Sequence, residues 1–327
     1  MRILTASDVR SVLEMDTVLD VIEDAFEKQR TGDVERPDRP HYPVGIGRNQ
    51  AAPDEPYGTG LVMPAYIHGA PYFATKLVSV HDGNPDRGLP TVNAQIAVND
   101  AETGLPVALM DGTHVTSART GAIGGLAARH LTTGDLAIGV VGAGTQARWQ
   151  IRAIDAATTI ESVTFFDLDG EILDAAVAEL DDEIEAPVTA ADSAATAVAG
   201  ADLVVTATTS PAPVFDGKEL GDDTVVVAIG AYTPEMQEIG PTTFERAAAV
   251  FADVPEEVAD IGDVREAPID EDDLLPYGDL LAGAVDPPDG IVVVDSVGSA
   301  VMDAATAEYV YDLADERDLG TVVDLAD

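Results

Sequence analysis

The 327 residues carry 60 acidic against 17 basic side chains, a formal charge of −43, with 46% hydrophobic residues and no cysteine. A chain this apolar folds rather than trailing as an acidic tail, its length suits two domains, and its field repels nucleic acid and anionic membranes. Disulfides, thiolate zinc sites and cysteine nucleophiles are excluded.

Lysine is confined to Lys28, Lys76 and Lys218. Self-repulsion among so many acids is screened over about 10 Å at 0.1 M salt, and over less at higher salt. Near-complete removal of surface cations therefore points to a host with molar internal salt. The opening MRILTASDVRSVLEMD lacks the basic, apolar and small-residue regions of a signal peptide. No apolar run has the length of a bilayer span, so a soluble cytoplasmic protein is expected.

In chain order, apolar residues at helical spacing from Ser7 to Arg30 (Val9, Val12, Leu13, Val18, Val21, Ile22, Ala25, Phe26) predict one opening helix, stopped at Gly32. Residues 33–60, rich in proline, glycine and charge, are expected to form a long irregular segment on the substrate side. The runs VMPAYI, YFATKLVSV, TVNAQIAV and LPVALM, separated by turn clusters such as His81 to Leu89, predict an antiparallel sheet. Thr116 to His130 reads as a connecting helix despite its glycines. From residue 135 the strands LAIGVVG, VTFFD, DLVVTAT, TVVVAIG, AVFADV and IVVVDSVG alternate with helical stretches, which predicts a parallel sheet covered on both faces. A last helix, Ala300 to Asp315, is expected to have no strand after it.

The segment Gly142-Ala143-Gly144-Thr145-Gln146-Ala147 follows a strand directly and opens a helix, giving G-x-G-x-x-A in the context that binds a dinucleotide. Gly142 permits the tight turn, Gly144 lets the backbone approach a pyrophosphate, and the helix N-terminus offers unbonded N–H groups. Asp167, at the end of the next strand, is placed to accept from ribose hydroxyls and to repel a 2′-phosphate, so NAD is expected over NADP. The bland alternative is a plain glycine turn. Thr208, at the end of DLVVTAT, joins the cofactor set.

Lys76 lies among apolar residues in a chain that nearly abolishes lysine, so it is read as buried. It holds either a substrate carboxylate or a structural ion pair, and burial would let it donate a proton. Arg119, near the start of the connecting helix, is suited to bidentate carboxylate binding or to an interdomain salt bridge. His41, His68, His81, His114 and His130 are dispersed, and no metal site is expected.

With MPAY (63–66), TKLVS (75–79), GLPT (88–91), MDG (110–112), TSART (116–120), GAGTQA and DSVG (295–298), the sequence resembles the ornithine cyclodeaminase and mu-crystallin family over nearly its whole length. The resemblance implies a Rossmann dinucleotide-binding domain (123–299) inserted into an α+β substrate and dimerisation domain with an antiparallel sheet (1–122 plus 300–327), and a homodimer. It assigns the substrate carboxylate to Lys76 and Arg119, with Arg39 as a further candidate, and places Thr91 at the cofactor. Tyr232, Val297 and Gly298 complete the expected substrate pocket.

Two departures bear on activity. Tyr232 stands where cyclodeaminases of the family carry an aspartate, and Leu61 where they carry an acid two residues before the Met-Pro pair. A phenol of pKa about 10 moves an amine's proton poorly near neutral pH. The expectation is therefore an NAD-dependent imine reductase or amino acid dehydrogenase. Ornithine cyclodeaminase, with NAD regenerated in each turnover, and a non-catalytic dinucleotide-binding protein stand as alternatives. The charge generates its own test: the urea unfolding midpoint is expected to rise as KCl is raised from 0.1 M towards molar concentrations, and an unchanged midpoint would refute the salt-adapted reading.

Overall fold

The computed structural model describes residues 1–48, 52–81, 83–84 and 87–325. Residues 49–51 of the expected irregular segment and 82, 85 and 86 of the expected turn lie outside the described residues. The chain divides into two units, one of Met1–Glu14, Thr31–Arg119 and Ala300–Asp327, the other of Met15–Arg30 and Thr120–Ser299.

The first unit is built on a sheet of β1 (Arg2–Leu4), β2 (Val34–Glu35), β3 (His41–Val44), β4 (Gly58–Ile67), β5 (Tyr72–Val80), β6 (Val92–Asp100), β7 (Pro106–Asp111) and the terminal strand Thr321–Val322. The path runs terminal strand, β1, β7, β6, β5, β4, β2, with β3 also paired to β4. Pairing is antiparallel, as expected, except that β1 runs parallel to β7. Period-two alternation turns Leu61, Met63 and Ala65 of β4, Ala74 and Lys76 of β5, Ile96 and Val98 of β6, and Ala108 and Met110 of β7 to the buried side. The helix Ala300–Glu316 lies across β4, β5 and β6.

Three local expectations are corrected here. The segment 33–60 is not wholly irregular, because β2 and β3 pair with β4 and satisfy their backbone groups there. A strand does follow the last helix: Thr321–Val322 pairs with β1. The single opening helix is two, Ala6–Arg10 and Met15–Thr31. Thr5 and Asp8 form a reciprocal capping box that fixes the start of the first.

The second of these helices belongs with the second unit, not with the substrate domain where the sequence placed it. Its apolar stripe, Val18, Leu19, Ile22, Ala25 and Phe26, is buried. Phe26 meets the Tyr277 ring edge-on at 5.3 Å, and Arg129 bridges Asp20 and Glu23 at 3.1 Å each.

The second unit is a parallel sheet of β8 (Leu136–Val141), β9 (Ile160–Phe166), β10 (Val188–Ala190), β11 (Leu203–Thr206), β12 (Val225–Ala228), β13 (Ala247–Ala252), β14 (Leu274–Pro276) and β15 (Ile291–Asp295). Its order is β10-β9-β8-β11-β12-β15-β13-β14. Order reverses between β8 and β11, the crevice at which doubly wound sheets bind ligands beyond their strand C-termini. The strands β11, β12 and β15 are buried throughout, matching their unbroken apolar runs.

The glycines of the helix Gly112–Leu131 have a packing reason. A Cβ on Gly121 would sit 2.6 Å from the Trp149 carbonyl oxygen, and one on Gly125 2.7 Å from that of Ala153. Both carbonyls belong to the helix Thr145–Ala157, so the missing side chains let two backbones approach closely. The fully buried Gln150 crosses the same contact, donating to the Thr120 carbonyl at 2.7 Å and accepting from the Gly124 N–H at 2.9 Å. Gly125→Ala is expected to destabilise the protein by about 1–3 kcal/mol, because overpacking against backbone outweighs a helix-propensity gain of about 1 kcal/mol. Gly170→Ala, at a first-turn position where a Cβ meets nothing within 4 Å, serves as the neutral control. Urea unfolding of both variants checks this, and equal midpoints would contradict it.

Candidate active site

In the first unit, cross-strand register places Lys76 between Met63 and Ile96, with Met110 beyond, so one ammonium stands in an otherwise apolar row. Such a charge persists only when paired. Its partner is Asp303, from the first turn of the helix Ala300–Glu316, with Lys76 Nζ 2.6 Å from Oδ2. Arg119 Nε donates to Oδ1 of the same carboxylate at 2.9 Å. Lys76 and Asp303 are each 2% exposed and Arg119 5%.

Burial pushes Lys76 down to about 8, with the charges of Arg119 and Arg39 adding to the effect and Asp303 opposing it. Burial raises Asp303, yet Arg119 and Lys76 together hold its carboxyl below the ordinary range. Arg39 is half-buried and close enough for its charge to act on Lys76. Thr91 lies in the turn before β6, where its carbonyl accepts from the His81 N–H at 2.9 Å.

In the second unit, Gly142 has φ +94°, and a Cβ there would meet the Ala207 carbonyl oxygen at 2.5 Å, which brings the glycine turn against the end of β11. Gly144 caps the helix Thr145–Ala157 without a side-chain hydrogen bond, and a Cβ on it would meet nothing within 4 Å. The helix start thus has no capping side chain and has room beside Gly144, as an anion site requires. Gln146 adds a buried Oε1 with no hydrogen-bond partner. Asp167 Oδ2 accepts from the Ala143 N–H at 2.7 Å and Oδ1 from Asp169 N at 2.9 Å, so its carboxylate is fixed beside the turn. These features fit a dinucleotide with unesterified ribose hydroxyls at Asp167.

Glu238 organises the next two loops. Its carboxylate accepts from Thr208 N at 2.5 Å, Gly230 N at 2.6 Å and Thr206 Oγ1 at 3.1 Å, tying the ends of β11 and β12. Glu238 is fully buried, and burial raises its carboxyl against those hydrogen bonds. Tyr232 follows on this tied segment and is half-buried. Val297 and Gly298 are buried too, their N–H groups donating to Asp253 at 3.1 and 2.7 Å.

The structure therefore gathers Lys76 and Arg119 around Asp303, with the charge of Arg39 acting on Lys76, Gly142 to Gln146 around the turn held by Asp167, and Thr208 with the Tyr232 segment through Glu238. The acids that do this, Asp303, Glu238 and Asp253, escaped the sequence reading because one acid among 60 carries little signal. The available sign was context: Asp303 interrupts AVMDAATA, an otherwise small and apolar helical run. Among the described residues, no group of three or more His, Asp or Glu is arranged to hold a metal ion, and no helix is long and apolar enough to cross a membrane.

A doubly wound parallel sheet with an uncapped glycine-turn helix and a fixed acid beside it makes the second unit Rossmann-type. The chain belongs to the ornithine cyclodeaminase/mu-crystallin family, whose sequence profile matches residues 1–318. It is 33% identical to alanine dehydrogenase of Archaeoglobus fulgidus over 331 aligned residues, covering 98% of this chain and 97% of that protein. The Thermococcus litoralis Delta(1)-pyrroline-2-carboxylate reductase, solved with NADH and L-proline, superposes with a TM-score of 0.92 at 30% identity, covering 99% of this chain and 100% of that one. An archaeal alanine dehydrogenase dimer with bound NAD superposes with a TM-score of 0.90, also at 30% identity, covering 99% of each chain.

The buried acids of the second unit set a pH dependence. Burial pushes Asp263 up to about 7, reinforced by Glu238 and opposed by the Ile239 and Glu238 N–H groups it accepts from. A carboxyl whose folded value is raised binds its proton more tightly in the folded state, so its contribution is complete below 3.8 and is lost as pH rises through about 7. In high KCl, wild-type stability is expected to fall across that window, and Asp263→Asn to flatten the slope. Parallel curves for the two proteins would show that Asp263 does not carry the effect.

Proposed function

We propose that the protein is an NAD-dependent oxidoreductase of the C–N bond of a small amino or imino acid, acting as an imine reductase or, in reverse, as an amino acid dehydrogenase. The observation that carries this reading is the buried pair of cations Lys76 and Arg119 sharing one internal carboxylate. At the contact itself two positive charges meet one negative, a surplus that suits an acid's carboxylate. Arg119 bonds Asp303 through Nε, leaving its terminal nitrogens in the geometry of a bidentate grip.

Reduction of a C=N bond needs a hydride and a proton. NADH, when bound, supplies the hydride. Gly142, Ala143, Gly144, Thr145 and Gln146 would hold its pyrophosphate, Asp167 its ribose, and Thr91 and Thr208 further parts of it. Lys76 and Arg119 would fix the acid, assisted by Arg39, and the family resemblance adds Tyr232, Val297 and Gly298 as substrate residues. With its pKa near 8, Lys76 Nζ is also poised to exchange a proton close to neutral pH.

Three comparisons support the reading: a relative named alanine dehydrogenase, a neighbour named as a reductase of a cyclic imine carboxylate and crystallised with NADH, and a further neighbour with NAD. The phenol at Tyr232, in place of a carboxylate, disfavours cyclodeamination. By similarity to the archaeal dimer, the protein works as a homodimer. We place it in the cytoplasm of a salt-adapted cell, where reduced dinucleotide is regenerated.

The test follows NADH absorbance in high-KCl buffer with Δ1-pyrroline-2-carboxylate and with pyruvate plus ammonium, beside an ornithine assay for proline and ammonia with catalytic NAD. Net NADH consumption is expected, with NADPH much less effective. Proline and ammonia without net NADH change would restore the cyclodeaminase, and tight NADH binding without turnover would indicate a binding protein. Lys76→Ala is expected to lose most turnover while keeping NADH affinity, and Arg119→Ala mainly to raise KM. Wild-type kinetics from both would dismantle the site.

A further inference from the structure

Asp303 contacts both members of the clamp. A carboxylate bridging two cations in a buried site cannot be read as a surface ion pair, because each of the three groups is at least nine-tenths buried. Without it, Lys76 would face the positive charges of Arg119, from the helix Gly112–Leu131, and of Arg39, from the segment before β3. Two bare cations in a dry site repel each other, and the lysine relieves the repulsion by losing its proton.

We propose that Asp303 is the positioning residue of the carboxylate clamp, holding Lys76 and Arg119 side by side and keeping Lys76 in its ammonium form until substrate binds. It acts through the two cations and need not touch the reacting atoms. This rests on the function proposed above, but its physical core concerns the charge on Lys76 and is measurable without turnover.

The chain's composition provides the measurement. With lysine at positions 28, 76 and 218 only, protein labelled with 13C-lysine gives three side-chain resonances, assigned by single Lys→Arg variants. The midpoint of the Lys76 resonance is expected near 8 in the wild type. In Asp303→Asn it is expected to fall by about 1 to 3 pH units, the usual effect of removing an opposite charge at contact distance. With NADH saturating, Asp303→Asn is expected to raise the imine KM about tenfold or more, with NADH affinity unchanged. The limb of the pH–rate profile that reports Lys76 should move to lower pH with the resonance. Asp303→Glu, which keeps the charge, should restore the titration in large part.

A folded Asp303→Asn that keeps the wild-type midpoint and KM overturns the proposal. If that variant does not fold, Asp303→Glu decides: with the charge kept, the Lys76 midpoint is expected to stay near that of the wild type while the carboxylate displaced by one methylene raises KM, and a wild-type KM or a lost titration overturns the proposal. If the wild type reduces no imine, the proposed function fails while the titration still judges Asp303.

Discussion

A buried carboxylate shared by two cations governs the first unit. Lys76 and Arg119 reach it from a strand and from a helix, and Asp303 belongs to neither, coming instead from the returning helix Ala300–Glu316. Removing Asp303 would leave two like charges uncompensated away from water, which costs far more than a surface pair contributes. The helix that covers the sheet is therefore tied to it by chemistry as well as by apolar contact. Its placement over β4, β5 and β6 and the placement of the clamp are one and the same fact.

In the second unit the equivalent duty falls to acids that receive backbone N–H groups. Asp167 holds the glycine turn, Glu238 the loops after β11 and β12, and Asp253 the loop after β15. Each fixes a segment whose side chains or amides are candidates for ligand contact, so preorganisation there comes from carboxylates rather than from covalent cross-links. The arrangement suits a chain without cysteine.

Most of the fold was legible because its signals are local. The apolar runs of β8, β9, β11, β12 and β15, the glycine turn and the alternation in β4 to β7 all declare themselves within about ten residues. What escaped depends on distant partners. β2 and β3 are too short and polar to announce themselves without β4, and the break between the first two helices follows from their joining different units. For the site, Lys76 and Arg119 stood out because cations are scarce, whereas Asp303, Glu238 and Asp253 were hidden by an abundance of their own kind. A composition driven by the surface masks the buried residues of the same type.

The path of the chain through the two units has a consequence for biogenesis. The sheet of the first unit opens with β1 and is finished by Thr321–Val322, while the whole run Thr120–Ser299 belongs to the other unit. On a ribosome, Arg119 emerges 184 residues before the aspartate that neutralises it. At about 5–20 residues per second that interval lasts roughly ten seconds or more, during which the Rossmann unit's sheet can form while the first unit still lacks its closing helix and strand. The clamp is thus among the last features of the nascent protein to be assembled, and a chain truncated before residue 300 would retain the complete glycine turn but no closed clamp.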